Sequence, residues 1–325
     1  MTMITPGLTI LATLLTAALS AADAQQARSF VSGLGNDGNA PNCTRTAPCR
    51  TFQVAHDNTL TNGEITVLDA GSYGGLTITK NISIVNDGVG EAGALVSGGA
   101  TGITINANAA TDAVTLRGLT IKGIGFGGGT GIIFNSGLSL TLENCVIRNM
   151  TGAAPLGEGL RFIPNASSAL AVSNTAVTDN VSGGIVLIPS GTGIVVNAVL
   201  ERVGLYNNGF FGFALNAGHA DPASRLNAGI TNSVAGNNDG NAYQAFAPIS
   251  GSAIANVYVT NSMAAGNLVG LAANGVALVI VGGSTIIANG TNLVTTGPGT
   301  VATWSNNYEF NNVVTNPFTA AIAPH

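Results

Sequence analysis

The tetrapeptide Gly184-Ile185-Val186-Leu187 returns 28 residues later as Gly212-Phe213-Ala214-Leu215, and earlier counterparts stand at Gly102-Ile103-Thr104-Ile105, Gly131-Ile132-Ile133-Phe134 and Gly159-Leu160-Arg161-Phe162. Continued through Gly240-Asn241-Ala242-Tyr243 and Gly270-Leu271-Ala272-Ala273, the series has intervals of 29, 28, 25, 28, 28 and 30. Two asparagine series share roughly this period. One runs through Asn149, Asn180, Asn208, Asn238, Asn267, Asn289 and Asn311. The other runs through Asn144, Asn174, Asn232, Asn261 and Asn306, with Arg202 at the turn it skips. A fixed period of this size marks a repeat architecture.

Each repeat reads as three short strands, in which β-branched and apolar residues alternate until Gly or Asn makes a turn. No repeat holds a ten-residue helical pattern, which excludes leucine-rich, ankyrin and tetratricopeptide solenoids, and propeller blades need roughly 40 residues each. The remaining fold is all-β: a single-domain right-handed parallel β-helix of about nine three-strand coils. Asparagine suits its corners because it tolerates the left-handed conformation, and its amide can bond the same amide one coil away. At ~4.8 Å per coil the rod would be roughly 40 to 45 Å long.

Composition agrees. Of 325 residues 45 are glycine, 46% are hydrophobic and only 8% are charged, with a net charge of −5. These values exclude a disordered chain and a basic nucleic-acid binder. Leu8 to Leu19 is mostly apolar and precedes Ala22-Asp23-Ala24, so residues 1–24 read as an export signal and the protein as secreted or periplasmic. That apolar run is too short to cross a bilayer, which takes ~20 residues, and no transmembrane segment is expected. Cys43 and Cys49, in a polar stretch, read as a local disulfide, and Cys145 as a buried thiol.

Three stretches carry a family resemblance: Pro48-Cys49-Arg50-Thr51-Phe52-Gln53-Val54-Ala55, then Gly63 to Tyr73, then Leu76 to Ile84. Together they resemble the start of right-handed parallel β-helix proteins of the pectate-lyase-like superfamily, in particular exported bacterial β-helix proteins with a two-cysteine N-terminal loop. The likeness covers about residues 29 to 315. It implies a helical cap at Thr51 to Leu60; after the signal (1–24) the chain is then expected to divide into a cap with disulfide loop (25–62), β-helix (63–315) and C-terminal tail (316–325).

The catalytic motifs of such enzymes do not follow. A lyase of this superfamily would show a calcium-binding acid cluster beside a basic residue, and a galacturonase an Asp-Asp pair and a Gly-His-Gly; none occurs. The expected function is therefore non-catalytic: an exported surface protein that binds carbohydrate or protein, or is structural. The alternative is a carbohydrate-active enzyme, a polysaccharide lyase or glycoside hydrolase, with a site assembled across coils. No metal, cofactor or nucleic acid is expected; the partner would be a polysaccharide or cell-surface component, and the chain monomeric or associated end to end.

Coil alignment stacks Arg117 with Glu143 and Arg148 with Asp179, and makes Gly125 to Thr130 a turn. Candidate ligand-binding residues gather at one place. Asn216 to Leu226 reads as a protruding loop carrying His219, Asp221 and Arg225, with Phe210 or Phe211 as an apolar neighbour and Phe213 pointing inward.

Overall fold

A computed structural model of the protein describes residues 25–125, 128–152, 156–248 and 251–323. The expected export signal lies outside these residues, as do two positions of the Gly125 to Thr130 turn. Successive strands pass in rotation to three parallel sheets of 12, 9 and 10 strands. In one coil, Gly204–Tyr206 belongs to the ten-stranded sheet, Phe211–Asn216 to the nine-stranded sheet and Arg225–Thr231 to the twelve-stranded sheet. The architecture is a parallel β-solenoid with about seven regular turns and 3% helix. That is slightly fewer than the nine coils expected, because strands at both ends, such as Gly71–Ser72 and Ala320–Ala321, shrink to two residues.

The core is a set of columns running along the axis. Ile132, Leu160, Ile185, Phe213, Tyr243 and Leu271 succeed one another in register, all buried. The glycine that opens these strands is needed for close approach: a Cβ on Gly131 would stand 2.5 Å from the carbonyl oxygen of Gly159. One assignment shifts. Tyr243 aligns with Phe213, so Ala242, not Gly240, is the equivalent of Gly212.

Two adjacent residues make each corner before the nine-stranded sheet, with different tasks. The first is exposed and left-handed, as at Asp179 (φ 57), Asn207 (φ 53) and Asn237 (φ 54). The second is buried and forms the ladder: Asn208 gives its backbone N–H and Nδ2 to Asn238 Oδ1, both at 3.0 Å, and Asn238 does the same to Asn267 at 3.0 and 2.8 Å. From Asn208 to Asn312 each ladder Nδ2 also caps a strand carbonyl one coil back, Asn238 on Leu205 at 3.0 Å. The ladder members are Asn180, Asn208, Asn238, Asn267, Asn289 and Asn312. Asn149 and Asn311 therefore leave the series, since both are left-handed corner residues; Met150 occupies the buried place in the first of these coils, its N–H donating to Asn180 Oδ1. In the other asparagine series Arg202 is left-handed as expected (φ 53), whereas Ser305 (φ 61) replaces Asn306.

Stacked charges obey the same register. Arg117 lies beside Glu143, 4.0 Å from it, and reaches Asp87 at 3.0 Å. Arg148 does not meet Asp179: it stacks on Thr178, one residue earlier, and its closest acid is Glu91 at 3.8 Å. Asp179, at the corner, accepts from Asn207 Nδ2 at 3.0 Å instead.

The N-terminal end is closed by more than a helix. Gln26–Val31 adds a strand to Thr59–Val67, and the loop closed by the Cys43–Cys49 disulfide bonds its outer edge through Phe30 and Ser32. The helix Phe52–Asn58 is shorter than expected, because Thr59 and Leu60 already belong to the following strand. Asp37 accepts from the N–H groups of Arg50 and Thr51 at 2.8 and 2.9 Å, tying the loop to the helix start. Cys145 is buried, and burial pushes its thiol up to about 11.

Helix side chains serve as a false strand for the open edge of the nine-stranded sheet. Gln53 Oε1 accepts from Thr77 N–H at 2.9 Å, and His56 Nε2 accepts from Thr79 N–H at 3.2 Å. Accepting at Nε2 places the His56 proton on Nδ1, 2.9 Å from Asp57 Oδ1. Burial lowers the His56 pKa below its usual value despite the Asp57 contact. Between the lowered folded pKa and the ordinary value near 6.5, the unfolded chain binds a proton that the folded chain refuses. Stability is thus complete above about pH 6.5 and falls on acidification until the folded group titrates. Urea midpoints measured across this window should slope downward toward acid for the wild type. In His56→Gln the slope should be reduced; an unchanged slope would remove His56 as its source.

Candidate functional site

The outer face of the nine-stranded sheet carries a groove of about 780 Å3. Its four strands are Glu158–Phe162, Gly183–Leu187, Phe211–Asn216 and Asn241–Ala247. Register puts Glu158 beside Gly183 and Phe211 beside Asn241. A second outward column runs Arg161, Val186, Ala214, Gln244. Val186 and Ala214 form an apolar floor, and although they face outward they are only 3% and 6% exposed.

Aromatic rings wall this floor. Phe211 lies over Gly183, whose missing side chain leaves room for the ring: a Cβ there would stand 2.5 Å from Phe211 Cζ. Phe246 is 36% exposed, and Phe210, on the corner, 63%. Polar pairs close the two axial ends. At one, Arg161 Nη1 donates to both carboxylate oxygens of Glu158 at 3.0 Å. At the other, Asn241 Nδ2 donates to Gln244 Oε1 at 3.0 Å. The two pairs occupy the same two columns three coils apart, roughly 14 Å at the usual strand spacing.

Glu158 is the buried acid of the groove, its side chain 7% exposed. Burial raises its pKa above the usual carboxylate range, and Arg161 opposes this without cancelling it. The carboxyl therefore keeps a proton more readily than a surface glutamate while remaining beside an open cavity.

Of the residues singled out in the sequence, Phe210 and Phe211 line the groove. His219, Asp221 and Arg225 do not. The stretch expected to protrude is stacked into the solenoid: His219–Ala220 pairs with Ser190–Gly191, and Arg225 begins a strand between Val195 and Ile254. Asp221 is a fastening, accepting from Gly193 N–H at 3.0 Å and Ser224 Oγ at 2.9 Å, and the Gly193 bond leads in holding its pKa low. His219 and Asp221 border a smaller polar depression of about 260 Å3 with Gly191 and Gly251.

Glu158, Arg161, Asn241, Gln244 and Phe246 escaped the sequence reading because strict alternation fails at the glycine-opened strand start. Gly159 and Leu160 are both buried, so Glu158 and Arg161, three apart, reach the same outer face. The second residue after the glycine gives Arg161, Val186 and Ala214, and the residue before it gives Glu158, Gly183 and Phe211; the fourth coil breaks the count because Ala242 stands in the glycine's place.

Among solved structures the chain is similar to the pectate lyase Pel9A, with a TM-score of 0.60 and 17% identity over 91% of this chain and 78% of that one. The fold is the pectate-lyase-like β-helix. This β-helix also has weaker likenesses to a rhamnogalacturonan lyase (TM-score 0.44, 10% identity, 90% of this chain and 87% of that one) and to the GH136 lacto-N-biosidase of Eubacterium ramulus (0.36, 10%, 87% and 67%). No protein-family model and no curated protein sequence matches it. Among the described residues no helix is long and apolar enough to cross a membrane, and no group of three or more His, Cys, Asp or Glu side chains could hold a metal ion.

Proposed function

We propose that this β-helix is an exported saccharide-binding protein whose groove on the nine-stranded sheet holds a short run of sugar rings. The observation that carries the reading is the apolar floor of Val186 and Ala214, walled by phenylalanines and bracketed by two polar pairs. A sugar ring has apolar C–H faces and a polar hydroxyl rim, and a site of this kind meets both: rings and aliphatic groups against the faces, Glu158, Arg161, Asn241 and Gln244 toward the hydroxyls. The test is affinity electrophoresis through gels containing galactan, xylan, polygalacturonate or a bacterial exopolysaccharide. At least one should retard the wild type, and Phe211→Ala should relieve the retardation. Free migration in all four, or equal retardation of the variant, would sink the reading.

One observation favours a second reading, a carbohydrate-active enzyme. Glu158 is a buried carboxyl with a raised pKa beside a cavity, the environment that suits a proton-transferring group, and the fold is shared with a pectate lyase. The readings separate on Glu158→Gln. An enzyme would release reducing ends or unsaturated sugars from the retarding polysaccharide, and the variant would still bind but no longer release them.

A further inference from the structure

Around the corner from the groove, on the ten-stranded sheet, Tyr206 lies down on the outer surface instead of projecting from it. A Cβ on Gly204, two residues earlier on the same face, would run into Tyr206 Cε2. One on Gly236, in register in the next coil, would stand 3.3 Å from Cδ1 and 3.6 Å from Cε1. The ring thus covers two glycines. Neither has the left-handed φ that demands glycine, and glycine inside a strand costs roughly 0.5 to 1 kcal/mol relative to alanine. Their missing side chains are accounted for by the ring that occupies the space.

Tyr206 keeps 36% of its surface exposed. With its inner face on the glycines, it is the outer face that meets solvent. After the corner Asn207-Asn208-Gly209 the chain reaches Phe210, the most exposed ring of the groove, and then Phe211 on its own glycine. Three rings of one coil therefore follow one another from the ten-stranded sheet into the groove. Beside Tyr206 the surface is polar: Thr178 is its register neighbour in the preceding coil, and the corner pair Asp179 and Asn207 is hydrogen-bonded at 3.0 Å.

We infer that Tyr206 is a separate stacking subsite for the same saccharide chain, engaged only by chains long enough to leave the groove over Phe210. The inference rests on the saccharide reading of the groove, and continuity through Phe210 is what identifies the occupant. A flat ring with one free face stacks against a sugar as it does against a base, with little sequence demand on the ligand. The subsite adds affinity through effective concentration, since a chain already held in the groove presents its next rings to Tyr206.

The experiment uses calorimetric titration of the full chain with size-fractionated oligosaccharides of two and eight sugar units, cut from the polysaccharide that retards the wild type. The longer oligomer should bind wild type about tenfold more tightly than the shorter. Tyr206→Ala should abolish that difference and leave the shorter oligomer unaffected, with an unchanged circular dichroism spectrum. Tyr206→Phe, which keeps the flat ring, should restore it. If both oligomers bind and Tyr206→Ala holds the longer one as tightly as wild type does, the subsite is overturned and the groove reading stands. Failure of both oligomers to bind overturns the groove reading and the subsite with it.

Discussion

Asn238→Ala should lower the stability of the protein by about 3 to 5 kcal/mol, as should the same change at the other interior ladder asparagines. The substitution removes an acceptor shared by Asn208 N–H and Asn208 Nδ2, and a donor to Leu205 and Asn267. These groups are buried, and each buried polar group left without a partner costs about 1 to 3 kcal/mol. Against a total of ~5 to 15 kcal/mol for a typical domain the loss is large. Asn237→Gly supplies the contrast: Asn237 sits one residue away with φ 54, a conformation glycine adopts freely, and the variant should stay within about 0.5 kcal/mol of wild type. Urea unfolding followed by circular dichroism measures both. Equal midpoints for the two variants would show that the ladder does not hold the corners.

Ala214→Arg should reduce saccharide binding at least a hundredfold with little change in stability. Ala214 lies at the centre of the groove floor, between Val186 and Gln244, and faces away from the core. An arginine there rises into the space intended for the ligand, and its charge stands one coil from Val186 and two from Arg161. The inward neighbours Phe213 and Leu215 are untouched, so the columns that hold the coil remain packed. Ala214→Gly, which leaves the floor open, should bind as wild type does. Undiminished binding by the arginine variant would move the ligand out of this groove.

How much of this was legible in the sequence depended on which physical constraint wrote each residue. Corners and columns are written by constraints that repeat in every coil, the left-handed turn, the buried amide and the inward aliphatic, and they appear as a period. The period could not say which of two neighbours at a corner did which task. Asp179-Asn180, Asn207-Asn208 and Asn237-Asn238 each pair a left-handed exposed residue with a buried ladder residue. Asparagine serves both, so a series read from the sequence takes in Asn149 and Asn311 and sets Arg148 against Asp179, although Arg148 stacks on Thr178. The groove is written by a constraint that does not repeat. Its residues come from four coils, share no linear motif, and begin at a position where alternation is broken by glycine. Phe210 and Phe211 were visible because aromatic side chains are scarce in this chain. His219, Asp221 and Arg225 drew attention for the same reason, although Asp221 fastens a corner and Arg225 opens a strand.

The amide-to-amide bonds of the ladder all point one way. From Asn180 to Asn289 each asparagine gives its N–H and one Nδ2 proton to the Oδ1 of the asparagine in the coil that follows, and that Oδ1 accepts from the coil before. A chain that folded coil by coil from its N-terminus would therefore carry one unfilled corner at its growing end, and each new coil would fill that vacancy while opening the next. Among the described residues the vacancy travels from Met150 to Asn312, whose Oδ1 accepts both donors of Asn289. The polarity of the ladder thus runs in the direction in which the chain is made, each corner completed by residues that come later in the sequence.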